Sequence, residues 1–70
     1  MNPKLFELLR QKAGGVSALA RACNTYPQQV QYWRKSGVPV MHVVPLCRVS
    51  EGEIKPYDLR PDIFLEHWTV

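Results

Sequence analysis

No apolar run in this 70-residue chain approaches the roughly 18 residues needed to cross a bilayer, so a membrane-spanning helix is excluded. The opening Met-Asn-Pro-Lys-Leu-Phe-Glu lacks a basic segment followed by an apolar stretch and a small-residue cleavage site, so no export signal is expected. A cytoplasmic location is the expectation. Cysteine is scarce: Cys23 and Cys47 stand alone, without CxxC spacing. Each falls in an apolar-periodic stretch, where a free thiol behaves as a small hydrophobe. A zinc site built from Cys23, His42, Cys47 and His67 would lack the paired short spacings that hold such ligands, so no metal is expected. There is no phosphate-cradling loop, nucleophile–base pair or carboxylate pair, and hence no sign of an enzyme, a cofactor or a small-molecule ligand. The length allows one domain with a modest core. An apolar share of 46%, a charged share of 21% and a mean hydropathy of -0.23 describe a folded globule rather than a disordered tail.

Acid is nearly missing from the first two-thirds of the chain. Residues 1–48 hold seven bases (Lys4, Arg10, Lys12, Arg21, Arg34, Lys35, Arg48) against Glu7 alone, a net +6. Residues 49–70 hold Lys55 and Arg60 against Glu51, Glu53, Asp58, Asp62 and Glu66, a net −3. A basic body suits a polyanion, whose phosphates attract Lys and Arg through counterion release. Charge alone is equally compatible with a solvated basic surface.

Local patterning predicts a run of short helices. Asn2 and Pro3 can open a helix over 3–13, closed by Gly14-Gly15. Val16, Leu19, Ala20 and Cys23 make an i, i+3, i+4, i+7 stripe for a second helix over 16–23, ending at Asn24, which tolerates the left-handed conformation of a tight turn. Pro27 opens a third over 27–36, with Val30 and Trp33 inward and Ser36-Gly37 as its end. Val40, Val43, Val44 and Cys47 repeat at helical spacing, but Pro45 lies among them. Either a kink or two shorter helices meeting near His42–Val44 is expected. Glu53-Ile54-Lys55 reads as a brief extended stretch, which leaves open whether it pairs as a strand with a second subunit, and Pro56–Leu59 as one turn. Ile63, Phe64, Leu65, Trp68 and Val70 make residues 63–70 too apolar for a free tail.

Two short helices joined by a tight turn, the second carrying amides and bases, form the arrangement that presents a helix to the major groove. Residues 16–35 fit it. Ala20 is small where the helices cross, and Leu19, Cys23, Val30 and Trp33 are apolar where they must face each other. At about 100° per residue from Val30, Tyr26 and Trp33 lie within about 60°, whereas Gln28, Tyr32 and Lys35 fall opposite, at about 140–200°. Gln31 and Gln29 flank that outward stripe. Glutamine can pair bidentately with adenine N6 and N7, and Tyr32 could meet a thymine methyl or a phosphate. Arg34, Lys35, Ser17 and Arg21 would hold the backbone. Tyr26 reads equally as a packing residue or a phosphate contact, and the three glutamines could also be plain solvated surface. Trp33 reads as core, and His42 as a packed or half-exposed residue among valines.

The stretch Gly15–Ala22, then Pro27-Gln28-Gln29-Val30 with Trp33, then Gly37-Val38-Pro39, and later Tyr57-Asp58-Leu59-Arg60-Pro61-Asp62, resembles the YdaS-type Cro-like repressors of phages and prophages. The resemblance spans about residues 14–62. It implies an all-α, lambda-repressor-like domain of four to five short helices that binds double-stranded operator DNA as a homodimer and represses transcription in the cytoplasm of a bacterium or a phage-infected host cell. Some relatives belong to toxin–antitoxin pairs, so a protein-interaction module is the alternative. The resemblance puts base contacts on Gln28, Gln29, Gln31 and Tyr32, and backbone contacts on Ser17, Tyr26, Arg34 and Lys35. This chain departs from the pattern in two places. Tyr26 stands where a small hydroxyl residue commonly caps the recognition helix, leaving Thr25 to cap it or no cap at all, and Asn24 replaces the turn glycine. The expected organisation is a DNA-binding domain over 1–62 and an apolar tail over 63–70, the latter a candidate dimer contact.

Overall fold

Asn2 opens the first helix as its position predicts: its Oδ1 accepts a hydrogen bond from the Lys4 N–H at 2.8 Å, and Pro3 fills a first-turn position where no donor is missed. In the computed structural model, which describes residues 1–68, this helix, α1, runs Pro3–Ala13. Gly14 ends it at φ 90°, with its N–H turned back to the Arg10 and Gln11 carbonyls. Helix α2 is Val16–Ala22, one residue shorter than predicted because Cys23 leaves helical geometry at φ −98°, ψ 5°. Asn24 then takes φ 56°, the left-handed conformation the turn requires. Helix α3 is Pro27–Ser36, with the boundaries read from Pro27 and Gly37.

Around Pro45 the chain adopts the two-helix alternative. Val40–His42 is a single 3-10 turn, and α4 is Val43–Val49. Pro45 is thereby the third residue of α4, where its missing N–H would have had no intrahelical partner. Helix α5 is the short Pro56–Leu59, held at its start by Asp58 Oδ2, which accepts from the Lys55 N–H at 2.9 Å. No strand forms among the described residues. Of residues 53–55, expected to be extended, Lys55 is, at φ −93°, ψ 155°, whereas Glu53 and Ile54 lie in a bend. Ser50, the one buried polar residue among those described, donates through Oγ to the Cys47 carbonyl at 2.7 Å and accepts from the Ile54 N–H at 3.0 Å. That pair of bonds bends the chain and drives Ile54 inward between two charged neighbours.

One core joins all five helices. Phe6 and Leu9 meet Leu19, Ala20 and Cys23, then Val30 and Trp33, then Val38, Val43, Leu46 and Cys47, closed by Ile54 and Leu59. Each fully covered side chain of this size contributes about 1.5–3 kcal/mol, so the α2–α3 pair is fixed mainly by Leu19, Val30 and Trp33. Cys23 and Cys47 are free and buried. Burial pushes each thiol up to about 11, with the Asp58 carboxylate adding to the effect at Cys47. Beyond α5, Arg60 donates to the Val38 carbonyl at 2.9 Å and grips both carboxylate oxygens of Asp62 at 2.9 and 2.8 Å. This ties the exit of α3 to the C-terminal segment. Phe64 packs partly against the core, with the Trp68 ring 5.2 Å away, while Ile63, Leu65 and Trp68 stay exposed. Val70, counted in the apolar tail above, lies outside the described residues.

Candidate nucleic-acid interface

The inner face of α3 is closed and its outer face is open. Val30 and Trp33 are 0% and 1% exposed, which fixes the rotation of the helix about its axis. Gln28, Gln29, Gln31, Tyr32, Arg34 and Lys35 consequently lie on the exposed surface. Ser17 and Arg21 are exposed on α2, Ser17 in its first turn and Arg21 in its last. The structure thus leaves all the side chains picked out by the sequence open to solvent.

Three local readings are narrowed. Helical projection placed Tyr26 on the Val30 face, but Tyr26 is the residue before the helix, at φ −110°, ψ 153°. A wheel does not apply to an extended residue, and Tyr26 is 73% exposed, not a packing residue. Among the described residues, neither Tyr26 nor Thr25 caps α3 with its side chain and the Gln28 N–H has no partner, so the first turn keeps its positive end open. His42 is not surrounded by valines alone. Its ring lies 4.8 Å from that of Trp33, against the last turns of α3.

Ion pairing sorts the basic residues. Lys12 is engaged by Glu53 at 2.9 Å and Glu51 at 3.7 Å, which raises its pKa. Arg10 pairs with Glu7 on its own helix and holds that carboxyl below its ordinary value. Among the described residues, Arg21, Arg34 and Lys35 have no carboxylate partner. Lys4, Arg48 and Lys55 are likewise without one, so half of the six unpaired cations lie on the helix-turn-helix, a balance that suits a polyanion. Arg34 is not loose, however. Its guanidinium lies over the Phe6 ring at 4.8 Å, and its Nη1 donates to Gln31 Oε1 at 3.1 Å.

Sequence reasoning missed the contribution of α1. An open groove of about 830 Å³ runs between α1 and α3, with Pro3, Phe6, Glu7 and Arg10 on one wall and Gln28, Gln31, Tyr32 and Lys35 on the other. The groove arises from helix packing, which no local spacing signals. Chemically the whole surface offers amide donors and acceptors, a phenol and cations. No group of His, Cys, Asp and Glu able to hold a metal occurs among the described residues, and no described helix is long and apolar enough to cross a membrane.

The sequence model of the family described as bacterial toxin YdaS matches residues 6–68, further in both directions than the quoted motifs reach. Among solved structures, the chain is similar to the Cro protein from the putative prophage element Xfaso 1 in Xylella fastidiosa strain Ann-1. The two share 32% identity and a TM-score of 0.80 over 93% of this chain and 98% of that one. No curated protein matches.

Proposed function

We propose that this chain, which belongs to the bacterial toxin YdaS family and has a Cro-like regulator fold, is a sequence-specific DNA-binding repressor. One observation carries the reading: the amide-bearing side of α3 is open, because Val30 and Trp33 commit the opposite side to the core. Gln28, Gln29, Gln31 and Tyr32 read base edges in the major groove. Ser17, Arg21, Tyr26, Arg34 and Lys35 position the unit on the phosphates. Repression is steric, by occupation of an operator, and the protein needs no cofactor and acts in the cytoplasm.

Residues 1–62 serve as the DNA-binding domain. One copy carries a single α3, and the half-sites of a two-fold operator lie roughly 34 Å apart. One copy therefore reaches one half-site, and a homodimer reads both. Ile63, Leu65 and Trp68 are the exposed apolar residues of the tail and supply part of the dimer contact. Because Phe64 belongs partly to the core, the paired substitutions Ile63→Glu and Leu65→Glu test this contact more cleanly than truncation. Sedimentation at unchanged dimer mass would remove it.

Selection of bound duplexes from a random DNA pool tests the main reading. The expected result is a two-fold symmetric consensus whose binding weakens steeply with salt. Recovery of unenriched sequence, or affinity indifferent to salt, would contradict it. The family's description as a toxin, with exposed Val40, Met41, Leu65 and Trp68, favours as a second reading an interaction module of a toxin–antitoxin pair. Salt-insensitive binding to a partner protein would select that one.

A further inference from the structure

Gln28, Gln29 and Gln31 are the same residue type on one exposed helix, yet their amides are not equivalent. Gln28 and Gln29 have no side-chain hydrogen bond among the described residues. Gln31 has one, from Arg34 Nη1 at 3.1 Å. A guanidinium carries donors only, so the atom facing it must be the amide oxygen, and the Gln31 Nε2 turns the other way. The Phe6 ring beneath the guanidinium, 4.8 Å from its carbon, holds Arg34 in this pose against the wall of the groove.

An amide with both ends free can pair with adenine, donating to N7 and accepting from N6. An amide whose oxygen is turned toward a guanidinium keeps a second lone pair there, but it meets a base with its N–H end and offers that base donors. Facing adenine, it would satisfy N7 and leave the N6 donor opposed to its own donors. Facing guanine, it meets two acceptors, O6 and N7, and facing thymine it meets O4. We propose that Arg34 is a positioning residue that fixes Gln31 as a donor, so that α3 reads adenine through Gln28 and a keto-bearing base, guanine or thymine, through Gln31. The assignment rests on the DNA-binding reading above and adds to it the chemistry of one base position. Exclusion of water at a DNA interface strengthens the Arg34–Gln31 bond there, since solvent no longer competes for the oxygen.

Selection from a random duplex pool with the full chain, in parallel for the unaltered protein, Gln31→Ala, Gln28→Ala and Arg34→Met, tests it. The column whose preference disappears in Gln31→Ala is the Gln31 column. In the unaltered protein it is expected to favour guanine or thymine over adenine by about tenfold. Arg34→Met frees the amide oxygen, and adenine should rise in that column by about tenfold relative to guanine or thymine, while the Gln28 column keeps its adenine. Removing the Arg34 charge lowers binding to every sequence alike and leaves relative enrichment untouched, so a purely electrostatic Arg34 cannot produce the switch. A thermal melt of each variant verifies folding; all three residues are exposed. An adenine preference at the Gln31 column in the unaltered protein, a column unchanged by Arg34→Met, or no column lost in Gln31→Ala overturns this assignment and leaves the repressor reading intact. A pool with no enriched column in the unaltered protein overturns both.

Discussion

Replacing Ser50 by Ala removes one oxygen from a site that water does not reach: the side chain is 0% exposed. Two bonds go with it, from Oγ to the Cys47 carbonyl at 2.7 Å and from the Ile54 N–H to Oγ at 3.0 Å. The carbonyl keeps a second donor, the Gly52 N–H at 3.3 Å. The Ile54 N–H keeps nothing, and an orphaned buried donor costs about 1–3 kcal/mol. The expected loss is thus about 2 kcal/mol. A 70-residue domain at about 0.05–0.15 kcal/mol per residue has only about 4–10 kcal/mol in total, so the loss is a large share. Urea unfolding followed by tryptophan fluorescence should show an unchanged m-value and a lower midpoint, and the melting temperature should fall by about 8–16 °C. A loss below about 0.5 kcal/mol would mean that Ile54 is held by its apolar contacts alone and that the account of this bend is mistaken.

At Asn24, where φ is 56°, Gly should be tolerated within about 0.5 kcal/mol, whereas Val should cost about 2 kcal/mol from its branched Cβ; equal stability of the two in urea would refute the left-handed turn. Hydrogen bonding from Arg60, reinforced by its charge, holds the Asp62 carboxyl below its ordinary value of 3.8. That stabilisation is therefore complete above 3.8 and fades as acid carries the pH down through the lowered folded value, and Asp62→Asn should flatten this part of the stability profile. The opposite sign holds at Lys12, whose pKa is raised above 10.5 by hydrogen bonding to Glu53: its contribution is present at neutral pH and vanishes as alkali passes the raised value, a dependence that Lys12→Met should abolish in alkaline unfolding curves. If Lys35 neutralises one phosphate, Lys35→Ala should reduce the log–log salt slope of DNA binding by about 0.9, and an unaltered slope would take it off the backbone.

How much of this was legible in the sequence depended on whether the signal was local. The bounds of α1 and α3 could be read from Asn2, Pro3 and Gly14 and from Pro27 and Gly37 because caps and prolines act within one turn. Pro45 announced a break, and packing of Val43 and Leu46 decided that the break would be two helices rather than a kink. The open side of α3 was legible because Val30 and Trp33 are unmistakably apolar. The inward turn of Ile54 was hidden, since Glu53 and Lys55 disguise it and the cause is a hydroxyl four residues earlier. The periodicity argument erred at Tyr26 by extending a helical wheel past the end of the helix. The hold of Phe6 on Arg34 spans 28 positions in sequence, and no local pattern could have revealed it.

The two covered sulfurs have a use in the laboratory that follows from their surroundings. With each thiol pushed up to about 11, almost no thiolate exists at neutral pH, and an alkylating reagent reacts only with molecules that have momentarily come apart. Cys23 sits at the hinge between α2 and α3 and Cys47 inside α4, so their labelling rates time the opening of two regions of one molecule. Matching rates identify a chain that opens as a single unit, whereas faster labelling at Cys23 identifies an α2–α3 pair that loosens while the rest stays shut.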